Sequence, residues 1–116
     1  NLILMRADLN DFYRLAVEAK WQPQQHKILY PNPWPKSSHL RRRWHGSSAF
    51  PSIVALGGEI ELRSNWQMYL LEFAEALRIV DVKASVNRFT PDVFITPFER
   101  KYAQSGQPLY QLTANL

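Results

Sequence analysis

The sequence predicts an α/β domain with a mostly parallel sheet and helices on both of its faces. Three observations lead there. Short apolar or alternating runs recur with helical stripes between them, the order that builds strand-helix-strand units. Gly and Pro fall at the boundaries of these runs. The chain has 116 residues, 46% of them hydrophobic, which supplies one core and not two, so residues 1–116 read as a single domain.

Leu2–Met5 is an apolar run expected as the first strand. After Arg6-Ala7-Asp8 it gives way to Phe12, Leu15, Ala16 and Ala19 at helical spacing, with Asp8 or Asn10 as the cap. Ile28-Leu29-Tyr30 reads as a second strand. It must end at Pro31, Pro33 and Pro35, which have no amide hydrogen for a ladder and force extended geometry on their predecessors, so a stiff loop follows. Ser37 or Ser38 is placed to cap a helical turn carrying His39 and three arginines. Gly46-Ser47-Ser48 interrupts it, and Phe50–Leu56 reads as a short helix.

Gly57-Gly58 turns the chain into Glu59–Arg63, whose period-two alternation marks a strand. Trp66, Tyr69, Leu70, Phe73, Leu77 and Val80 then form one helical stripe, with Ser64 and Gln67 at capping-box spacing. Val82, Ala84 and Val86 alternate with polar residues as the next strand. Thr96-Pro97-Phe98-Glu99 is a helix start, with Pro97 at the first position and Glu99 placed to reach back. Gly106 ends that helix, and Leu109–Thr113 is the last strand.

Charge is distributed unevenly. No acidic residue lies between Glu18 and Glu59, while Lys20, Lys27, Lys36, Arg41, Arg42 and Arg43 fall there; with a net charge of +4, the rest of the chain is net acidic. A positive block in an acidic frame makes a directional field suited to a polyanion such as RNA. No apolar run approaches the roughly 20 residues that a membrane-spanning helix needs. The chain has no cysteine, which excludes disulfide scaffolds, thiolate zinc sites and thiol nucleophiles and is compatible with a cytoplasmic location. His26, His39 and His45 show no ligand spacing with carboxylates, so no metal site is expected, and no serine sits in a nucleophile elbow. Asn1–Met5 has no targeting pattern, and the chain reads as beginning within a longer protein. In sheets of this kind ligands gather at the carboxyl ends of strands, where the sequence puts Asp8, Asn32 and Ser64-Asn65.

Tyr30-Pro31-Asn32-Pro33-Trp34-Pro35-Lys36, followed by His39 and Arg41-Arg42-Arg43, closely resembles the signature loop of the bacterial tRNA (guanine-N7)-methyltransferases. Thr96-Pro97-Phe98-Glu99-Arg100 with Gly106-Gln107-Pro108-Leu109-Tyr110 resembles a second motif of that family, about sixty residues further on. The resemblance covers essentially the whole chain. It implies the C-terminal part of a Rossmann-like class I methyltransferase fold, lacking the first two strands and the glycine-rich loop, with S-adenosyl-L-methionine as cofactor and tRNA or another structured RNA as partner. The missing strands imply an open sheet edge, through which a homodimer is expected.

By the same resemblance, Asp8 receives the adenine end of the cofactor, and Asn32 is tied to catalysis and cofactor contact. Lys36, Asn65, Thr96, Pro97, Phe98 and Glu99 are substrate-binding, and Ser38, His39, Leu40, Arg41, Arg42 and Arg43 form the RNA-contacting stretch. Plainer roles stand beside these: a helix cap for Asp8, a capping box for Thr96 and Glu99, and loop packing for Trp34 and Trp44.

Asn32 and Asn65 stand where the family carries aspartate, Gln67 where glutamate is usual and Ser38 where arginine is usual. Guanine N7 already has a lone pair, so alignment matters more than a general base, but the methylated ring becomes cationic. A carboxylate stabilises that charge by a few kcal/mol more than an amide does, roughly, at an effective dielectric near 20, so weak, altered or absent N7 activity is expected. Two alternatives remain open. Asn32-Pro33-Trp34 is somewhat like the Asn-Pro-Pro-aromatic loop of amino-group methyltransferases, which suits an exocyclic amine; the other is an RNA-binding remnant without turnover.

Overall fold

Asp8 starts the first helix by accepting the Asn10 amide hydrogen on its carboxylate at 3.0 Å, and α1 runs over Leu9–Glu18. The computed structural model describes all 116 residues. β1 (Gln25–Leu29) ends at the proline loop, and 3₁₀ segments at Ser37–Arg42 and Trp44–Gly46 lead into α2 (Phe50–Leu56). Then come β2 (Glu59–Ser64), α3 (Gln67–Ile79), β3 (Ala84–Phe89), α4 (Pro97–Gln104) and β4 (Leu109–Asn115). The strands lie in the order β1-β2-β4-β3.

This is the expected α/β architecture, with a mixed sheet. β1 and β2 are parallel, whereas β4 lies antiparallel between β2 and β3. The cause is α4. A parallel return must carry the chain back along the sheet, but α4 stays at the end where β3 finishes and feeds β4 in from there.

Register puts Ile28, Ile60, Leu62, Leu112 and Ala114 on one face. They pack with Tyr13 and Ala16 of α1, Ile53 and Leu56 of α2, and Tyr69, Leu70, Phe73 and Leu77 of α3. Fully burying a side chain such as Leu62 or Phe73 stabilises by about 1.5–3 kcal/mol, and both are 0% exposed. The helices therefore do not flank the sheet evenly: α2 and α3 share this face, as the handedness of successive crossovers requires, and α1, which precedes β1, packs there with them. The opposite face is polar. Glu61 is buried there under Lys27 (2.6 Å), Arg63 (3.4 Å) and Gln111. α4 approaches that face through Glu99, which Arg63 holds at 3.0 Å.

Leu2–Met5 is not a strand. Leu2, Ile3 and Leu4 are 83%, 84% and 88% exposed. A strand needs a neighbour's amides and carbonyls, and Leu2–Met5 pairs with no strand of the sheet, the outer edge of β1 included.

The capping details also differ from expectation. Ser64 is the last residue of β2, so Trp66 takes the N-cap position of α3, and the Ser64 hydroxyl accepts the Trp66 amide at 3.0 Å in place of a box with Gln67. Neither Ser37 nor Ser38 caps the 3₁₀ segment. At α4 the Thr96 hydroxyl accepts the Glu99 amide, and Glu99 reaches back to the Ile95 amide, both at 3.1 Å. Gly58 is required where it stands: its φ is +77°, and a Cβ there would collide with the Pro23 carbonyl. No helix is long and apolar enough to cross a membrane.

Candidate functional site

The topology gathers the sequence-designated residues at one end of the sheet. β1, β2 and β3 finish there, β4 begins there, and α1 starts there before running back to β1. The loop after β1 is bent at two non-glycine residues in the left-handed region, Tyr30 (φ +51°) and Trp34 (φ +45°). Each such bend costs about 1–2 kcal/mol and persists only where other contacts hold it. The Tyr30 amide donates to the Arg63 carbonyl at 2.8 Å, and its hydroxyl donates to Glu99 Oε2 at 2.5 Å. The Trp34 carbonyl accepts from Arg43 Nε at 3.1 Å. Asn32 sits between these pins, its side-chain oxygen 3.4 Å from the Trp34 amide.

Arg43 turns inward. Only 4% exposed, it also donates to Glu72 Oε1 at 2.5 Å and lies over the Trp66 ring at 5.0 Å. Glu72 holds His45 Nε2 at 3.1 Å as well. Burial pushes the His45 pKa below its ordinary value, against the pull of Glu72 in the other direction. Within Ser38–Arg43 the structure thus separates Arg43, spent on the protein, from Arg41 and Arg42, which are exposed.

Arg41 and Arg42 border a cleft of about 580 Å³. Asn32 and Trp34 line it from the proline loop, Asn10 from the first turn of α1, and Trp44, Ser47 and Ser48 from the segment before α2, with Tyr69 of α3 beneath. The Tyr69 hydroxyl accepts the Trp44 amide at 2.9 Å and fixes that floor. The Arg42 guanidinium lies 4.9 Å from the Trp34 ring centroid, and His39 meets the same indole edge-on at 5.6 Å. No acidic residue lines the cleft.

The other designated residues stand apart from it. Asp8 is spent on the α1 cap. Lys36, Ser38 and Leu40 are exposed and do not line the cleft. Asn65 donates to the Gln107 side chain at 2.8 Å. Phe98 is 57% exposed and stacks on Tyr102. Thr96 and Pro97 form the start of α4. Glu99 is 0% exposed, its carboxylate taken up by Tyr30, by Arg63 Nη1 at 3.0 and 3.1 Å and by the Ile95 amide. Burial raises its pKa, but Tyr30, Ile95 and Arg63 outweigh that and hold it below the usual carboxylate value. In turn, burial and then Glu99 push the Tyr30 hydroxyl well above its ordinary value. The α4 turn therefore abuts the root of the proline loop without entering the cleft.

Sequence reasoning passed over Asn10, Trp44 and Tyr69 as cleft residues. Asn10 carried a signal in its place just after a strand-like tip, but it reads equally as a cap. Tyr69 belongs to the stripe of α3 and shows nothing polar in the pattern.

S-adenosylmethionine, the donor implied by the resemblance, carries a sulfonium and an ammonium, both cationic, beside a single carboxylate, so it is net positive and needs acceptors for its two cations. The cleft offers two guanidiniums and no carboxylate, and of the two residues assigned to the donor, Asn32 is neutral and Asp8 is engaged in a cap. These residues do not by themselves fit that molecule.

The tRNA (guanine-N(7)-)-methyltransferase of Lysinibacillus sphaericus (strain C3-41) is 30% identical over 125 residues, an alignment that covers 97% of this chain and 55% of that protein. The tRNA (guanine-N(7)-)-methyltransferase of Rhodococcus jostii (strain RHA1) is 26% identical over 118 residues, covering 97% of this chain and 45% of that protein. The chain spans about half the length of these curated relatives, consistent with a C-terminal part of the family. No protein-family model matches it.

Proposed function

We propose that this chain, a relative of the tRNA (guanine-N7)-methyltransferases over nearly its whole length, is the RNA-engaging part of a cytoplasmic, S-adenosylmethionine-dependent methyltransferase-like protein directed at guanine N7 of tRNA. Its turnover is lowered by the amides at Asn32 and Asn65. The observation that supports this most is the meeting of Asn32, Trp34, Arg41 and Arg42 on one acid-free cleft at the carboxyl ends of the strands. Arginine pairs with phosphate bidentately, and an indole stacks on an unpaired base. Arg43 and Glu99 hold the loop between them, so that Asn32 and Trp34 keep one arrangement before RNA arrives. Since the residues present do not fit the donor, no transfer step is assigned to them; their part is to bind and orient the base.

The test is methyl transfer to unmodified tRNA, with N7-methylguanosine measured in the digested product, beside RNA binding across a salt series. Expected are salt-dependent tRNA binding and N7-methylguanosine formed slowly or only with the donor-binding half of a relative supplied. Methylation at an exocyclic amine would favour the Asn-Pro-Trp alternative. Binding insensitive to salt would overturn the reading.

A further inference from the structure

His45 lies behind the cleft in the 3₁₀ turn Trp44–Gly46, its side chain 10% exposed. Its Nε2 meets Glu72 Oε1 at 3.1 Å. A carboxylate only accepts, so the neutral ring carries its proton on Nε2 and leaves Nδ1 bare. Nδ1 is buried and has no partner. A second proton would add a donor with nothing to receive it, and a positive charge beside Arg43, which shares the same Glu72 oxygen at 2.5 Å. The groups that face His45 are Arg43 of its own segment and Glu72 and Tyr69 of α3, the Tyr69 ring edge-on at 4.9 Å. Burial holds the Tyr69 hydroxyl up at about 12, so it stays neutral. α2, also packed on the turn, has no titratable side chain. Only movement of the turn brings water to Nδ1. The turn carries Trp44, whose indole lines the cleft and whose amide donates to the Tyr69 hydroxyl. Arg43, just before it, holds the Trp34 carbonyl. Gly46 is seated so closely that a Cβ there would collide with the Leu40 carbonyl, which ties the turn to the segment presenting Arg41 and Arg42.

We propose that His45 is a proton-operated latch on the cleft. Neutral, it keeps the Trp44–Gly46 turn seated against α3; protonated, it releases the turn, and with it Trp44 and the Arg43 tie to the proline loop. The latch belongs to the fold. Its consequence for RNA rests on the RNA-directed reading above: RNA seated in the cleft and a proton on His45 oppose each other.

Amide hydrogen exchange of the full chain from about pH 7.5 to 5 tests it, with intrinsic rates divided out. The Trp44 and Gly46 amides report the turn, and the amides of β2 report the whole fold. Trp44 and Gly46 are expected to be less protected than β2 at every pH. Their protection should fall about tenfold per pH unit once His45 takes a proton in the opened turn, and level off where it takes one in place. His45→Gln keeps a donor for Glu72 and accepts no second proton, so its turn should show no such slope. Equal protection of Trp44 and β2, or the same slope in both proteins, would overturn the proposal. Should His45→Gln not fold, the His45 ring titration in the native chain decides: a midpoint where the slope levels off supports the latch, and titration with no change at Trp44 defeats it. Unmodified tRNA at about a hundred times its Kd is expected to raise protection of the turn about a hundredfold. Unchanged protection with tRNA bound would sever the turn from the cleft and sink the latch. No tRNA binding at any pH defeats the RNA-directed reading instead, and the pH slope of the amides still judges the latch.

Discussion

Replacing Glu99 by glutamine keeps the side chain's shape and removes its charge. The carboxylate is fully buried and accepts from the Tyr30 hydroxyl, Arg63 Nη1 and the Ile95 amide. Removing one partner of a buried ion pair costs about 3–5 kcal/mol. Here the loss is smaller, because Arg63 keeps a 3.4 Å contact with Glu61 and its side chain is 13% exposed, which leaves roughly 2–3 kcal/mol for Glu99→Gln. At about 4 °C per kcal/mol for a domain of this size, Tm falls by roughly 8–12 °C. Urea titration is the cleaner assay, since an unchanged slope shows that the denatured state is unaltered. The effect also has a pH signature. The folded-state pKa of Glu99 lies below its ordinary value, so its stabilisation is complete above the ordinary carboxylate range and disappears as pH falls through the depressed value. The gap between the native chain and Glu99→Gln should therefore close in acid. Equal urea midpoints at neutral pH, or a gap that stays constant into acid, would refute the claim that the Glu99 charge stabilises the fold. Direct loss of RNA affinity in a variant of undiminished stability would restore Glu99 to the substrate contacts implied by the resemblance.

Arg42→Gln and Arg43→Met should separate cleanly: the first changes stability by no more than about 0.5 kcal/mol but lowers the slope of log K against log salt for tRNA by about one. Arg43→Met instead destabilises by about 1–2 kcal/mol in urea, discounted for the partial exposure of Glu72, and alters Trp34 emission because the Trp34 carbonyl loses its donor. Gly58→Ala, at φ +77° and against the Pro23 carbonyl, should cost more than about 2 kcal/mol by thermal or urea denaturation. His45 is held below its ordinary pKa by burial, so stability should begin to decline as pH drops through the unfolded-state value and go on declining to the depressed one. His45→Phe should flatten that limb of a stability-pH curve. Asn32→Asp should raise methyl transfer and weaken tRNA binding together, since a carboxylate steadies the cationic product ring yet opposes the phosphates held by Arg41 and Arg42; paired kcat and KM measurements read both directions.

Much of the element order is legible because it rests on local physics. The prolines from 31 to 35 end β1, Pro97 opens α4 with Thr96 as its cap, and the stripe of α3 buries Tyr69, Leu70, Phe73 and Leu77 as its spacing requires. What local pattern cannot carry is partnership. Leu2–Met5 has the composition of a strand and no neighbour to pair with. β4 enters antiparallel because of where α4 leaves the chain, which no periodicity encodes. The same limit governs the site. Arg41, Arg42 and Arg43 form one basic block in sequence, and only the end of the 3₁₀ segment at Arg42, with Arg43 in extended geometry, divides two exposed cations from one buried against Glu72 and Trp66. Glu99 fits a capping box, and its further bonds to Tyr30 and Arg63 span sequence separations of 69 and 36 residues.

Two buried charges thus perform one task from opposite sides of the loop. Arg43, tied to α3 by Glu72, holds the Trp34 carbonyl, and Glu99 of α4, tied to β2 by Arg63, holds the Tyr30 hydroxyl directly. Both bends lie in a region that a non-glycine residue leaves when released, at a gain of about 1–2 kcal/mol each, so loss of either pin relaxes the loop that carries Asn32. The ordering entropy of that loop is met on folding and not on the binding of a ligand. Neither pin involves Asn32 or Asn65, so the architecture of the loop is independent of the chemistry at its tip.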